Sequence, residues 1–227
     1  MMQKKLDNTS YITYTIVGIN LMIFLYMLLK FGTTTSVEAL VQMGAKSNIH
    51  IVFRHEFWRL LSAAFIHIGF EHLLFNNLSI YFIGMDLEKL MGHLRFIVLF
   101  IFSSLGGNLF SFAFNSNVSA GASTGIFGLF ISYVVLAQMY PHLLALKQRA
   151  TSFSILIILN IVTGVMGTGV DNWGHIGGAI FGGLITLLIG LDKRYSSRIN
   201  WKIRMGSLVT LILLSLLLLY FGFQKVL

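Results

Sequence analysis

The sequence predicts an all-α polytopic membrane protein with a single membrane domain, and three observations predict it. Hydrophobic residues make up 56% of the 227 and charged ones only 11%, against about 25% charged in a soluble domain; the mean hydropathy is +0.81. Apolar stretches near the roughly 20 residues a bilayer-crossing helix needs recur along the whole chain, so none reads as a lone signal peptide. The one proline, Pro141, leaves the helices mostly uninterrupted. Cysteine is absent, which excludes disulfides, thiolate metal sites and a cysteine nucleophile. The net charge of +8 would suit nucleic acid in a soluble protein. In a membrane protein, basic loops on the cytoplasmic side account for it more simply, and no nucleic-acid partner is expected.

Seven spans are expected, at about Tyr11–Leu29, His67–Leu87, Phe96–Phe114, Gly121–Met139, Ser152–Val170, His175–Leu191 and Met205–Phe223. The first is an apolar run with Gly18 inside it. The connection from Lys30 to Ile66 is long and not plainly polar; Ser36, Val37, Leu40, Val41 and Met43 suggest a short amphipathic helix. Phe57 and Trp58 are interface-type aromatics, so this connection is expected in or against the membrane surface. The second, fourth and sixth spans carry polar clusters. The third and fifth are apolar runs, and the seventh is Leu-rich with no charge inside it.

Lys and Arg set the orientation. With the N-terminus inside, the cytoplasmic side holds eleven: Lys4, Lys5, Lys89, Arg95, Lys147, Arg149, Lys193, Arg194, Arg198, Lys202 and Arg204. The outer side holds five: Lys30, Lys46, Arg54, Arg59 and Lys225. The bias predicts a cytoplasmic N-terminus and an outer C-terminus. The long connection and the start of the fourth span then face outward.

Polar groups in hydrocarbon are costly and tend to pair or line cavities. In the second span, "HIGFEHLLFNN" supplies His67, Glu71, His72, Asn76 and Asn77. His72 and Asn76 are four apart and share a helix face; His67 falls about 140° round from His72 and need not serve the same site. Such residues can simply satisfy backbone groups between helices. A metal site would need a third firm ligand: "RHEFWR" begins like a zinc-protease HExxH, but Arg59 takes the last position, and no cofactor is expected. In the sixth span, Gly178 and Gly182 follow His175 at i+3 and i+7, with Gly177 and Gly183 close by. Small residues on one face let another helix approach closely.

The fourth span begins in "NVSAGASTGIFGLF". Its glycines permit close backbone approach, and a helix start presents free N–H groups and a positive dipole end. Such a place suits Ser123 as a nucleophile whose attack makes an oxyanion. A lone GxS is weak evidence, because small-residue seams are common in membrane helices. Taken together, a nucleophile, a base in His175 and two oxyanion donors in His72 and Asn76 lie on the outer halves of three spans. These are the components of acyl transfer.

The chain resembles the rhomboid family of intramembrane serine proteases. The resemblance rests on "FWRLLSAAFIH", on "HIGFEHLLFNN" as HxxxxHxxxN, on "GASTGIFGL" as GxSx and on "GHIGGAIFGG" as HxxGxxxG, in that order. It covers about Tyr11 to Leu191, implying a six-span core over residues 11–191 and an added C-terminal span at 205–223 with a docking or stability role. It implies Ser123 as nucleophile and His175 as general base. His72, Asn76 and the Ser123 N–H would form the oxyanion hole. Gly121 matches the motif glycine, Phe127 an aromatic under the base, His67 a histidine near the site without a catalytic role, and Trp58 and Arg59 the membrane-lying first loop. Gly178 and Gly182 would support the close packing.

The implied substrates are other transmembrane proteins, cut in or next to their spans within the bilayer. Thr124 stands where the family often has Gly, which is tolerable if its hydroxyl bonds to the i−4 carbonyl. Asp171, four before His175, could complete a triad; the family uses a dyad. The alternatives are a catalytically inactive relative that binds membrane proteins, which would lack the Ser or the His, and a transporter, which would show repeats. No soluble accessory domain is expected, and the short loops and absent cysteine suggest a bacterial plasma-membrane protein.

Overall fold

A computed structural model describes residues 9–166, 169–191, 195 and 199–227. Among them α1 (Tyr11–Phe31) leads into a connection with three short helices, α2 (Val37–Met43), α3 (Asn48–Phe53) and α4 (Arg59–Ser62). The remaining rods are α5 (Gly69–Ser79) with α6 (Met85–Met91), then α7 (His93–Phe114), α8 (Ser123–Met139), α9 (Leu144–Met166), α10 (Asn172–Ile189) and α11 (Trp201–Gln224). The expected all-helical polytopic architecture is present. By length and composition alone α1, α7, α10 and α11 are fit to cross a membrane, and α8 is a shorter apolar helix.

Three expectations need correction. The second span starts at Gly69, so His67 precedes the helix and the angular argument does not apply to it. That span is also not uniform: a π-helical turn over Ile80–Gly84 joins α5 to α6. The helix of the fifth span begins at Leu144, eight residues before the expected crossing, because the residues around Lys147 and Arg149 are good helix formers that hydropathy alone discounts. The short amphipathic helix expected after Ser36 is present as α2, and the connection adds α3, α4 and a 3-10 turn. The expected C-terminal part of the fifth span includes residues 167 and 168, which lie outside the described residues, as do Lys4, Lys5, Lys193, Arg194 and Arg198.

Polar side chains fasten the rods at their ends. Glu88, buried on α6, accepts hydrogen bonds from the N–H of Ile12 at 3.0 Å and of Thr13 at 2.8 Å, and from the Thr13 hydroxyl at 2.7 Å. A helix start has N–H groups without internal partners and a positive dipole end, and a carboxylate answers both. On the same side, Asp86 of α6 accepts from Tyr133 of α8 and pairs with Arg149 of α9. Midway along α1, Asn20 donates to Asn77 of α5 at 2.8 Å.

α7 is the central pillar, with α8, α10 and α11 around it. Close approach is made by glycines. A Cβ on Gly106 would strike Phe181, and one on Gly177 would lie 2.5 Å from Phe110 Cβ. Between α8 and α10 the contact is backbone on backbone: a Cβ on Gly178 would strike the Thr124 carbonyl, and one on Gly182 would strike Gly128. α11 docks on α7 through rings, Phe223 against Phe112 at 5.9 Å and Phe221 against Phe114 at 6.3 Å.

Candidate active site

Ser123 is the first residue of α8 and His175 lies in the first turn of α10. The glycine seam just below them brings their side chains together: His175 Nε2 is 3.0 Å from Ser123 Oγ. The His175 ring is stacked on Phe127 with centroids 4.1 Å apart and planes at 11°, and Phe127 faces it because it is one turn on from Ser123. His175 Nδ1 has no hydrogen-bond partner among the described residues.

The approach to Ser123 is shaped by Gly121, whose φ of +137° is one L side chains rarely adopt. A Cβ there would also sit 2.6 Å from His72 Cε1 and 2.8 Å from His72 Nε2. Glycine thus brings the imidazole of His72 against the segment before the nucleophile. His72 Nδ1 accepts from the Ile68 N–H at 3.4 Å, which leaves the proton on Nε2, the atom turned toward Gly121. Asn76, one turn further along α5, donates one amide N–H to the His72 carbonyl at 2.7 Å and keeps a second. His67 accepts from the Ala122 N–H at 3.4 Å and packs edge-on to His72 at 5.4 Å. It steadies the backbone beside Ser123 and is fully buried.

These groups open into one cavity of about 970 Å³, lined by His72, Asn76, Ser123, Phe127 and His175 and continuing past Phe75 of α5, Leu156 of α9 and Trp173 of α10. A cleft of this size admits an extended peptide segment together with water, and polar groups at membrane depth are tolerated where they line such a cavity.

Asp171 does not reach His175. Its carboxylate accepts from the Gly174 N–H at 3.1 Å as the N-cap of α10, from the Ser119 hydroxyl at 2.5 Å and from the Ser111 hydroxyl. The Thr124 expectation also changes: its hydroxyl finds no partner among the described residues, so the i−4 bond is not made. Ala120, at i−4, precedes the helix. Its bulk is accommodated by two glycines: a Cβ on Gly107 would lie 2.6 Å from Thr124 Cβ, and one on Gly174 3.1 Å from Thr124 Cγ2. Trp58 and Arg59 are not at the cavity. Trp58 is exposed, whereas the Arg59 guanidinium is buried on the Val41 and Ala45 carbonyls at 2.6 and 3.0 Å and on Glu56 at 2.6 Å. Arg59 therefore pins the connection's helices to one another.

The sequence alone gives no site role to Ser111, Ser119 or Lys46; the two serines donate to Asp171, and Lys46 acts on it through its charge. The Asp before "NWGHIGG" is itself an N-cap signature that could have assigned Asp171. Ser111 and Lys46 have no such local signal.

Fold and site together define a polytopic helical membrane protein that holds a serine–histidine pair in a cavity of mixed polar and apolar lining. The Rhomboid domain model matches residues 54–192. Rhomboid protease GluP of Bacillus subtilis (strain 168) is 36% identical over 216 residues, 94% of this chain and 41% of GluP. RHOMBOID-like protein 1 of Arabidopsis thaliana is 33% identical over 165 residues, 69% of this chain and 40% of that protein. Rhomboid protease AarA of Providencia stuartii is 28% identical over 234 residues, 91% of this chain and 80% of AarA. The chain belongs to the rhomboid family, and it spans about two fifths of the length of GluP and of RHOMBOID-like protein 1.

Proposed function

We propose that the chain is an intramembrane serine endopeptidase that hydrolyses peptide bonds in or next to the transmembrane segments of other membrane proteins. The observation that carries this reading is the 3.0 Å contact between Ser123 Oγ and His175 Nε2 at the cavity, within the roughly 2.6–3.2 Å a nucleophile and its base require. Two relatives named as proteases support the class of reaction.

Ser123 Oγ attacks the scissile carbonyl carbon as His175 Nε2 takes its proton. The carbonyl oxygen becomes an oxyanion facing the His72 Nε2–H, the free Asn76 amide N–H and the Ser123 backbone N–H, which at a helix start has no internal partner. His175 then gives the proton to the leaving amine, and the acyl-enzyme remains. Water from the cavity attacks it with His175 again as base, releasing the acid and restoring Ser123. The positive-residue bias turns the cavity to the extracytoplasmic face of a plasma membrane.

A fluorophosphonate should label the purified wild-type chain, and the label should vanish in Ser123→Ala. Labelling that persists in Ser123→Ala, or a wild-type chain that takes no label while folded, would reject the reading and favour a non-catalytic binding role.

Asp171→Asn should retain most cleavage near pH 7, slowing by less than about tenfold, because asparagine still caps a helix and no acceptor is withdrawn from His175. A loss as large as that of His175→Ala would point instead to a triad.

A further inference from the structure

Lys46 belongs to the connection between α2 and α3, outside the spans, yet its side chain is fully buried. Its ammonium meets three oxygens: the Asn117 carbonyl at 2.6 Å, the Asn115 carbonyl at 2.8 Å and Asn48 Oδ1 at 3.1 Å. Three acceptors match the three N–H donors of an ammonium, and a neutral amine has only two. The backbone of Lys46 is also bridged to Ser119, N–H to carbonyl at 2.9 Å in one direction and 3.1 Å in the other. Ser119 gives its hydroxyl to Asp171, the cap of the helix that carries His175. Four residues beyond Ser119 is Ser123. One side chain therefore holds the segment from which both members of the pair are suspended.

We propose that Lys46, in its ammonium form, is a positioning residue for the Ser123–His175 pair, and that loss of its proton loosens residues 115–119 and sets the alkaline limit of turnover. This rests on the serine endopeptidase reading above. Burial lowers the Lys46 pKa to about 8, while the charges facing it oppose one another: Asp171 at the start of α10 raises it and Lys225 at the end of α11 lowers it. Charge-assisted bonds to two carbonyls and an amide oxygen weaken when the charge goes, and one acceptor is left unmet.

The sign for stability is opposite to that for activity. The folded value lies below the 10.5 of an ordinary lysine. Between about pH 8 and 10.5 the unfolded chain therefore binds more protons at this group, and its contribution to stability rises with pH. Activity should fall through a window in which this residue makes the fold no less stable. A lysine with only a structural role would not produce that divergence.

The test measures the rate of Ser123 labelling by a fluorophosphonate from pH 6 to 10, alongside the melting temperature in the same detergent. The full chain is compared with Lys46→Met, Asp171→Asn and Lys225→Glu. Wild type should lose rate above about pH 8, approaching tenfold per unit as the protonated fraction falls. Lys46→Met should be about tenfold slower or worse at neutral pH, with no alkaline limb. Lys225→Glu, which replaces a terminal surface charge, should move the limb upward, and Asp171→Asn should move it downward. A wild-type rate flat to pH 10 overturns the inference even if Lys46→Met fails to fold. So does a limb that stays in place when both neighbouring charges change. Absence of any labelling at pH 7 sinks the protease reading itself, whereas labelling without the limb removes only the role of Lys46.

Discussion

Ser123→Ala should abolish cleavage in purified, folded protein, by about 10⁴-fold or more, and His175→Ala should do the same. Among the described residues the serine Oγ makes one hydrogen bond, to His175 Nε2 at 3.0 Å, and its loss leaves that base with nothing to deprotonate. Removing a hydroxyl with no other partner among the described residues should change stability by no more than about 0.5 kcal/mol. His175→Ala uncovers the face of Phe127, so it should cost more stability while still inserting. Replacing His72 or Asn76 removes one oxyanion donor and should slow turnover by about 10²–10³-fold, less than loss of Ser123. A peptide bond cleaved at near wild-type rate by purified Ser123→Ala would end the proposed chemistry.

Gly178→Val should be nearly as damaging although Gly178 touches no reacting atom. An added Cβ would come within 2.8 Å of the Thr124 carbonyl carbon, 3.1 Å of its Cα and closer still to its oxygen. All three are backbone atoms of the turn that begins at Ser123, so no side-chain rotation can clear them. α10 must move away from α8, and His175 moves with it. A displacement of about 1 Å can cost about 10²-fold in rate, and overpacking a close interface costs about 1–3 kcal/mol. Cleavage and melting temperature should therefore fall together. Two controls bound the claim. Gly18 has nothing within 4 Å of an added Cβ, and on α10 itself the nearest atom to one on Gly183 is 3.8 Å away. Gly18→Val and Gly183→Ala should be mild on both counts. If Gly178→Val matches wild type in rate and melting temperature, the close-packing account of the seam fails.

Features written in local pattern were legible in the sequence. Membrane class follows from hydropathy. The joint face of His72 and Asn76 follows from helical spacing, and the closeness of α8 to α10 from the glycines at 178 and 182. Features fixed by partners far along the chain were not. Lys46 counts as an outer loop charge by position, but its acceptors at Asn115 and Asn117 lie 69 and 71 residues away. Arg59 likewise reads as a surface cation and is held by the carbonyls of Val41 on α2 and Ala45 just after it. The π-helical turn at Ile80–Gly84 has no composition that separates it from ordinary apolar helix. Hydropathy sets the start of the second span at His67, because apolar character does not reveal that Ile68 is extended and that the helix opens on Gly69.

The carboxylate of Glu88 carries a consequence for how the chain is made. Ile12 and the carboxylate that receives its N–H are 76 residues apart, separated by a full traverse of the bilayer and a return. A ribosome adding about 5–20 residues per second needs roughly 4–15 s to supply the second from the first. Until Glu88 has been made, the N–H groups of Ile12 and Thr13 are left to water, so this fastening of α1 to α6 can form only after both segments exist.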